Sequence, residues 1–188
     1  MPITTLDPKT ALIVIDLQKG IMSYSTTPTV VEVVEKAAEL TAAFRRHGLP
    51  VVLVNALGRA PGRTEQAPRL AQQLPPDFGQ LVPELNQQPH DHLVTKRTWG
   101  AFTNTDLEAY LKQQGVTQVV VCGVATSIGV ESTARYAHEN GFNVTLATDA
   151  MSDMSPEAHT NSLTRIFPRL GETGATHEII ALLDQSRA

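Results

Sequence analysis

The sequence predicts an α/β domain built on a parallel sheet with helices packed against both faces. Short apolar, β-branched runs alternate with segments of helical period along the whole chain. That alternation is the signature of strand–helix–strand units whose strands run the same way. The runs are apolar throughout rather than every second residue, as strands covered on both faces are. No internal repeat and no shift of composition divides the 188 residues, so a single domain spanning residues 1–188 is expected.

The first run, "ALIVID" (Ala11–Asp16), reads as a strand. In the segment after it, Val30, Val33, Val34, Ala37, Leu40 and Phe44 fall on one helical stripe. Thr29 and Glu32 have the spacing of a capping box, Pro28 stands where the helix begins, and Gly48 stops it. "PVVLVNA" (Pro50–Ala56) is the second strand. Residues 57–91 are rich in Pro, Gln, Gly and Arg, which predicts a functional loop or lid with a short helix. "HLVTK" (His92–Lys96) is the third strand. The following helix carries a second capping-box spacing, Thr105 and Glu108, and ends at Gly115. "VTQVVVC" (Val116–Cys122) is the fourth strand, leading into a helix that ends near Gly141. "FNVTLATDA" (Phe142–Ala150) is the fifth. Ser155 caps and Pro156 starts the next helix, and "GATHEIIALLDQ" supplies a last short strand and helix. The crossovers should be right-handed.

Bulk properties exclude several roles. With 15 Lys and Arg against 19 Asp and Glu, the net charge is −4. No basic stripe stands out, so nucleic acid is not an expected partner. The apolar runs are too short to span a bilayer, and "MPITTLDPKT" lacks the charged start and long apolar stretch of a signal peptide. One cysteine cannot form an internal disulfide, which fits a cytoplasmic setting.

In an open parallel sheet the ligand site lies beyond the carboxyl ends of the strands. The candidates are therefore Asp16, Asn55, Lys96, Cys122–Gly123 and Asp149. Asp16 ends an apolar run, where a carboxylate needs a partner or a solvated cleft; such residues also cap turns. Lys96 closes its strand in the same way, and taken alone reads as an edge-strand lysine. Together they place an ammonium beside a carboxylate at one cleft, able to orient a substrate or relay a proton. The turn "GVATSIG" offers outward N–H groups for an oxyanion or a carboxylate. It is no phosphate loop, and no GxSxG elbow marks Ser127 as a nucleophile, so Ser127 reads as a helix-start hydroxyl. His90 and His92 lie two apart without a third ligand, so neither a metal nor another cofactor is expected. His138, His159 and His177 read as helix-surface or cap residues.

Several segments together resemble the isochorismatase-like hydrolase superfamily, which holds isochorismatases, nicotinamidases and related amidases. They are "ALIVIDLQKG", "VTKRTWGAFTNTDLEAYL", "VVVCGVATSIGVESTARYAHENGFNVTLATDAMSD" and "SPEAHTNSLTRI", in the family's order and covering nearly the whole chain. The resemblance implies a three-layer Rossmann-like fold with six parallel strands, a small-molecule substrate, and a homo-oligomer, dimer or tetramer. It implies an Asp–Lys pair at Asp16 and Lys96. It also implies a non-proline cis peptide joining Val124 and Ala125, with the Ala125 and Gly129 N–H groups as an oxyanion hole. Asn55 and Ile128 would contact substrate; Trp99 and Phe102 either line the pocket or simply pack; and Arg59 or Arg63 either reaches it from the loop or stands as an ordinary surface arginine.

The sequence departs from the family's amidases at one position. Their nucleophilic cysteine belongs directly before the Val of "GVESTA", which here is Gly129. Cys122 lies seven residues upstream, at the end of a buried strand, and reads as core. The zinc-binding Asp and His residues of nicotinamidases are also missing after the second strand. Isochorismatases need no such cysteine: the Asp protonates an enol ether, water adds, and pyruvate leaves. Three readings remain open: a cysteine-independent isochorismatase-like hydrolase of a small anionic substrate with Asp16 as general acid; a water-using amidase with Asp16 as general base; or a catalytically silent binding protein on this fold.

Overall fold

The computed structural model describes residues 2–58, 60, 62–65 and 74–186. The strands β1 (Thr10–Ile15), β2 (Val51–Ala56), β3 (His92–Lys96), β4 (Gln118–Val124), β5 (Asn143–Ser152) and β6 (Glu172–Gly174) form one sheet. Its order is β3-β2-β1-β4-β5-β6, with every pair parallel. The helices are α1 (Val30–Arg46), α2 (Leu107–Gln113), α3 (Glu131–Glu139), α4 (Pro156–Asn161) and α5 (Thr176–Ser186). Among the described residues no helix is long and apolar enough to cross a membrane.

The central strand shows why both faces are covered. Leu12 and Val14 of β1 face a core filled by Val33, Ala37, Leu40 and Phe44 of α1 and Ile179 and Leu183 of α5. Ala11, Ile13 and Ile15 face the other core, with Leu107 and Leu111 of α2 and Ala134 and Ala137 of α3. Each larger side chain so buried contributes roughly 1.5–3 kcal/mol, and a strand with two such faces has no polar alternative to offer. The chain winds outward from β1 to β3, then returns to lay β4 on the other side of β1. The ends of β1 and β4 therefore flank the switch point of the sheet, where a crevice opens.

Local signals behaved unevenly. The Thr29–Glu32 capping box forms at α1, with reciprocal side-chain to backbone bonds. Gly48 then turns the chain away at φ +65°, which a residue without Cβ does at no steric cost. Ser155 caps α4 by accepting from the Ala158 N–H, with Pro156 in the first turn. The second box does not form. The Thr105 hydroxyl donates to the Ala101 carbonyl at 2.6 Å, and Glu108 takes Lys112 and Tyr136 instead. The segment after β4 is no uniform helix either: a π-helical turn, Thr126–Val130, precedes α3.

Two irregularities shape the crevice. Val121 pairs with Leu146, but Gly123 pairs with Met151; β5 advances five residues while β4 advances two, a bulge that bends β5 and re-aims its last residues. Asp149 in that bulge accepts from the N–H and hydroxyl of Thr176, at 2.7 and 2.9 Å. This strand-end candidate is thus a cap for α5. In the long connection, residues 78–82 run beside residues 17–20, with bonds from Lys19 to Gln80, Gly20 to Phe78 and Val82 to Leu17. A single short 3-10 turn, Pro83–Leu85, follows.

Candidate active site

Asp16 is the first residue beyond β1. Its N–H still donates to the Val54 carbonyl at 3.0 Å, while a φ of +55° breaks the strand. Aspartate tolerates this left-handed conformation better than most residues. Lys96 ends β3 on the face it shares with Val94, two residues back along the pleat. Its Nζ lies 2.7 Å from Asp16 Oδ2 and donates also to the Thr98 carbonyl at 3.2 Å. Lys96 is 3% exposed and Asp16 8%, so the pair is held out of water across the top of β2.

Burial is the larger influence on Asp16. It drives the carboxyl upward, the charge and hydrogen bond of Lys96 pull it down, and the balance stands at about 6. The two oxygens are not alike. Oδ2 accepts from the ammonium, whereas Oδ1 is buried without a partner. Among the described residues no group donates to or accepts from Oδ1.

Gly129 faces the same carboxylate. A Cβ built there would lie 3.5 Å from Asp16 Oδ2 and 2.9 Å from Ile15 Cγ2, so the turn presents bare backbone to the acid. The turn is tied down from several sides. Asp153 accepts from the N–H and the hydroxyl of Ser127, both at 2.8 Å. Thr133 donates to the Gly129 carbonyl at 2.7 Å and accepts from the Ala101 N–H at 3.1 Å. The Ala125 carbonyl accepts from Ile128 and Val130, and the Val124–Ala125 peptide is cis.

Cys122 belongs to the opposite face of the sheet from Lys96. It is fully buried in the α1-side core beside Val120 and Val124, and burial, with Asp149 adding to it, pushes the thiol well above its ordinary range. A thiol so placed is inert. Thiol-blocking reagents at neutral pH are expected to leave the native protein unmodified and its turnover unchanged. Titration with a chromogenic disulfide before and after denaturation checks this, with reaction only after denaturation.

The other sequence candidates fare differently. Asn55 is in register with Thr95, and Lys96 with Ala56, so Asn55 and Lys96 project to opposite faces of the sheet. The Asn55 amide donates to the Gly79 carbonyl at 2.7 Å; a role at the Asp16 cleft is corrected to one of holding the long connection. Phe102 packs in the core, the alternative the sequence left open: it is 4% exposed, stacked on Tyr136 and tilted against Phe142. Trp99 stands three residues beyond Lys96 and is 59% exposed. Ile128, next to Gly129, is half-buried and rests on the α1-side core. Arg63 is exposed, and Arg59 lies outside the described residues. His92 stacks on Tyr110 and meets Asp106, away from the cleft. Among the described residues no three His, Cys, Asp or Glu side chains gather to hold a metal.

Sequence reading missed Gln18. It is fully buried, donates to the Ala56 and Phe78 carbonyls, both at 3.0 Å, and accepts from the Ala56 N–H at 2.7 Å. It staples the long connection to the ends of β1 and β2. A glutamine three residues past a strand carries no local sign of this, because its partners come from distant segments.

A model of the isochorismatase domain matches residues 10–178, a span that includes Asp16, Lys96 and Gly129. The chain belongs to the isochorismatase family. It is 43% identical over 180 residues to the uncharacterized isochorismatase family protein YecD of Escherichia coli O157:H7, covering 93% of this chain and 96% of that one. To the uncharacterized isochorismatase family protein YwoC of Bacillus subtilis it is 42% identical over 178 residues, 92% and 93% of the two chains. The structure of an isochorismatase family protein from Burkholderia thailandensis superposes with a TM-score of 0.91 at 43% identity, over 96% of this chain and 98% of that one. Family members of this kind are hydrolases, and the six-stranded parallel sheet is the family's fold.

Proposed function

We propose that this chain is a cysteine-independent hydrolase that cleaves a small anionic vinyl ether, isochorismate being the substrate to test first. The observation that carries the reading is the state of Asp16: a buried carboxyl raised to about 6, with one oxygen on Lys96 and the other unpartnered. In this scheme the protonated Asp16 carboxyl delivers its proton to the terminal methylene carbon of the enol ether. The C–H bond forms as the C=C electrons are used, leaving an oxocarbenium ion and an Asp16 carboxylate. Water adds to the ether-bearing carbon of that ion and loses a proton, and the resulting hemiketal collapses to pyruvate and the released alcohol. Lys96 steadies the carboxylate left by the first step. The Ala125 and Gly129 N–H groups hold the substrate's own carboxylate, and the absent side chain at Gly129 leaves it room.

At pH 7 a group of pKa about 6 is protonated in roughly a tenth of molecules, which is sufficient for a general acid in equilibrium with solvent. A bound anionic substrate raises that fraction by like-charge repulsion. The same value favours a second reading, since a mostly ionised Asp16 can serve as a general base for water attacking an amide.

The pH dependence separates the two. An acid must be protonated, so kcat/KM for pyruvate release is expected to be level below about pH 6 and to fall roughly tenfold per pH unit above it. A base gives the mirror image, ammonia release failing below pH 6. A profile for pyruvate release that rises through pH 6 would sink the acid assignment.

A further inference from the structure

The turn that faces Asp16 is held from behind by a second layer, and one member of it is a histidine with no other evident duty. Thr126, at the start of the π-helical turn, is fully buried. Its hydroxyl meets His159 Nδ1 at 2.8 Å. His159 lies on α4, whose flanks reach the same region: Asp153, just before it, grips Ser127, and Ser162, just after it, donates to Glu131 at 2.6 Å. The stretch 153–162 thus touches the turn and the start of α3 at three successive places.

We infer that His159 is a positioning residue for the reaction: through Thr126 it fixes the turn that places Gly129 opposite the Asp16 carboxyl. The inference rests on the general-acid reading of Asp16. Its geometric core is the single hydrogen bond between a half-buried imidazole and a hydroxyl closed off from water, three residues before Gly129. Among the described residues no other side chain bonds that hydroxyl. Burial pushes the His159 imidazole below its ordinary pKa, against the pull of Asp153. The ring is therefore neutral at neutral pH, and one hydrogen bond joins its Nδ1 to the Thr126 hydroxyl. Loss of this bond leaves a buried hydroxyl without a partner, and the turn relieves that by shifting. Because Gly129 sits against Ile15 and Asp16, a shift of the turn opens the space over the carboxyl and lets water approach it.

The distinguishing observable is the ionisation of Asp16, read by carbon NMR of its carboxyl in full-length protein. Replacing His159 by Ala should lower the Asp16 pKa toward the ordinary carboxylate range. Replacing it by Asn, which returns a hydrogen-bonding atom near the place of Nδ1, should retain most of the elevation. Thr126→Val should reproduce the Ala variant, and the double variant should add little to either, since both remove one interaction. With a turned-over substrate, His159→Ala should lower kcat by about tenfold or more while KM changes by less than about threefold. An unmoved Asp16 titration in His159→Ala overturns the inference even if stability drops, because a purely structural histidine would leave that carboxyl alone. If the wild-type protein turns over no vinyl ether, the general-acid reading fails, while the Asp16 titration still decides whether His159 positions the turn.

Discussion

Asp16→Asn is expected to abolish turnover, with a loss of at least about a thousandfold in kcat. The side chain keeps its shape and loses the only proton the scheme can deliver, and general acid catalysis by a positioned group is worth roughly 10²–10⁴. An amide cannot substitute, since its N–H is far too weakly acidic to protonate carbon. The substitution has a structural cost as well. It leaves the Lys96 ammonium, 3% exposed, facing a neutral amide and the Thr98 carbonyl, and breaking a buried pair from the acid side typically costs about 3–5 kcal/mol. Pyruvate release should therefore be measured beside a thermal melt: a folded, inactive protein is the expected result. A folded variant that keeps more than a few per cent of wild-type kcat removes Asp16 from the chemistry.

Lys96→Met is the informative counterpart, because the two halves of the pair are not equivalent. Removing the ammonium takes away both influences that lower the Asp16 carboxyl and leaves burial, which raises it. The acid then stays neutral at pH 7, so no orphan charge remains in the protein, and the variant should be the more stable of the two. Activity is still expected to fall by about a hundredfold. The carboxylate produced by proton transfer has lost the cation 2.7 Å away, and charge stabilisation of that kind is usually the largest contribution a site makes. The limb of the kcat/KM profile should move to higher pH. A hundredfold loss with an unmoved limb would mean that Lys96 serves the substrate rather than Asp16.

These two residues lie 80 positions apart, and both are legible as chemistry from the sequence. Each ends an apolar run, and a charge at that place is expensive unless the sheet opens there. Their place along one edge of the sheet is legible too, but their strands are not neighbours, and the pairing across β2 came only from the structure. What stayed hidden has one cause. Asn55 stands at a strand end and Phe102 near Lys96. A single step along the pleat sends Asn55 to the other face of the sheet, and aromatic partners on α3 and beyond draw Phe102 into the core. The Thr105–Glu108 box has the right spacing and does not form, because Ala101 and Tyr136 offer those side chains better partners. Gln18, Asp153 and His159 act only through contacts with residues far along the chain.

What the amino-acid order determined alone is the set of strands, their parallel arrangement, the capped start of α1, and the chemical identity of the pair at the switch point. Those features come from periodicity and from the cost of burying charge, which are properties of short stretches. Only the tertiary structure decided how far the Asp16 carboxyl is raised. Burial raises its carboxyl and Lys96 lowers it, and the winner depends on how completely water is excluded. Ile15 and the bare backbone of Gly129 meet at that carboxyl, and no local stretch of sequence contains the meeting.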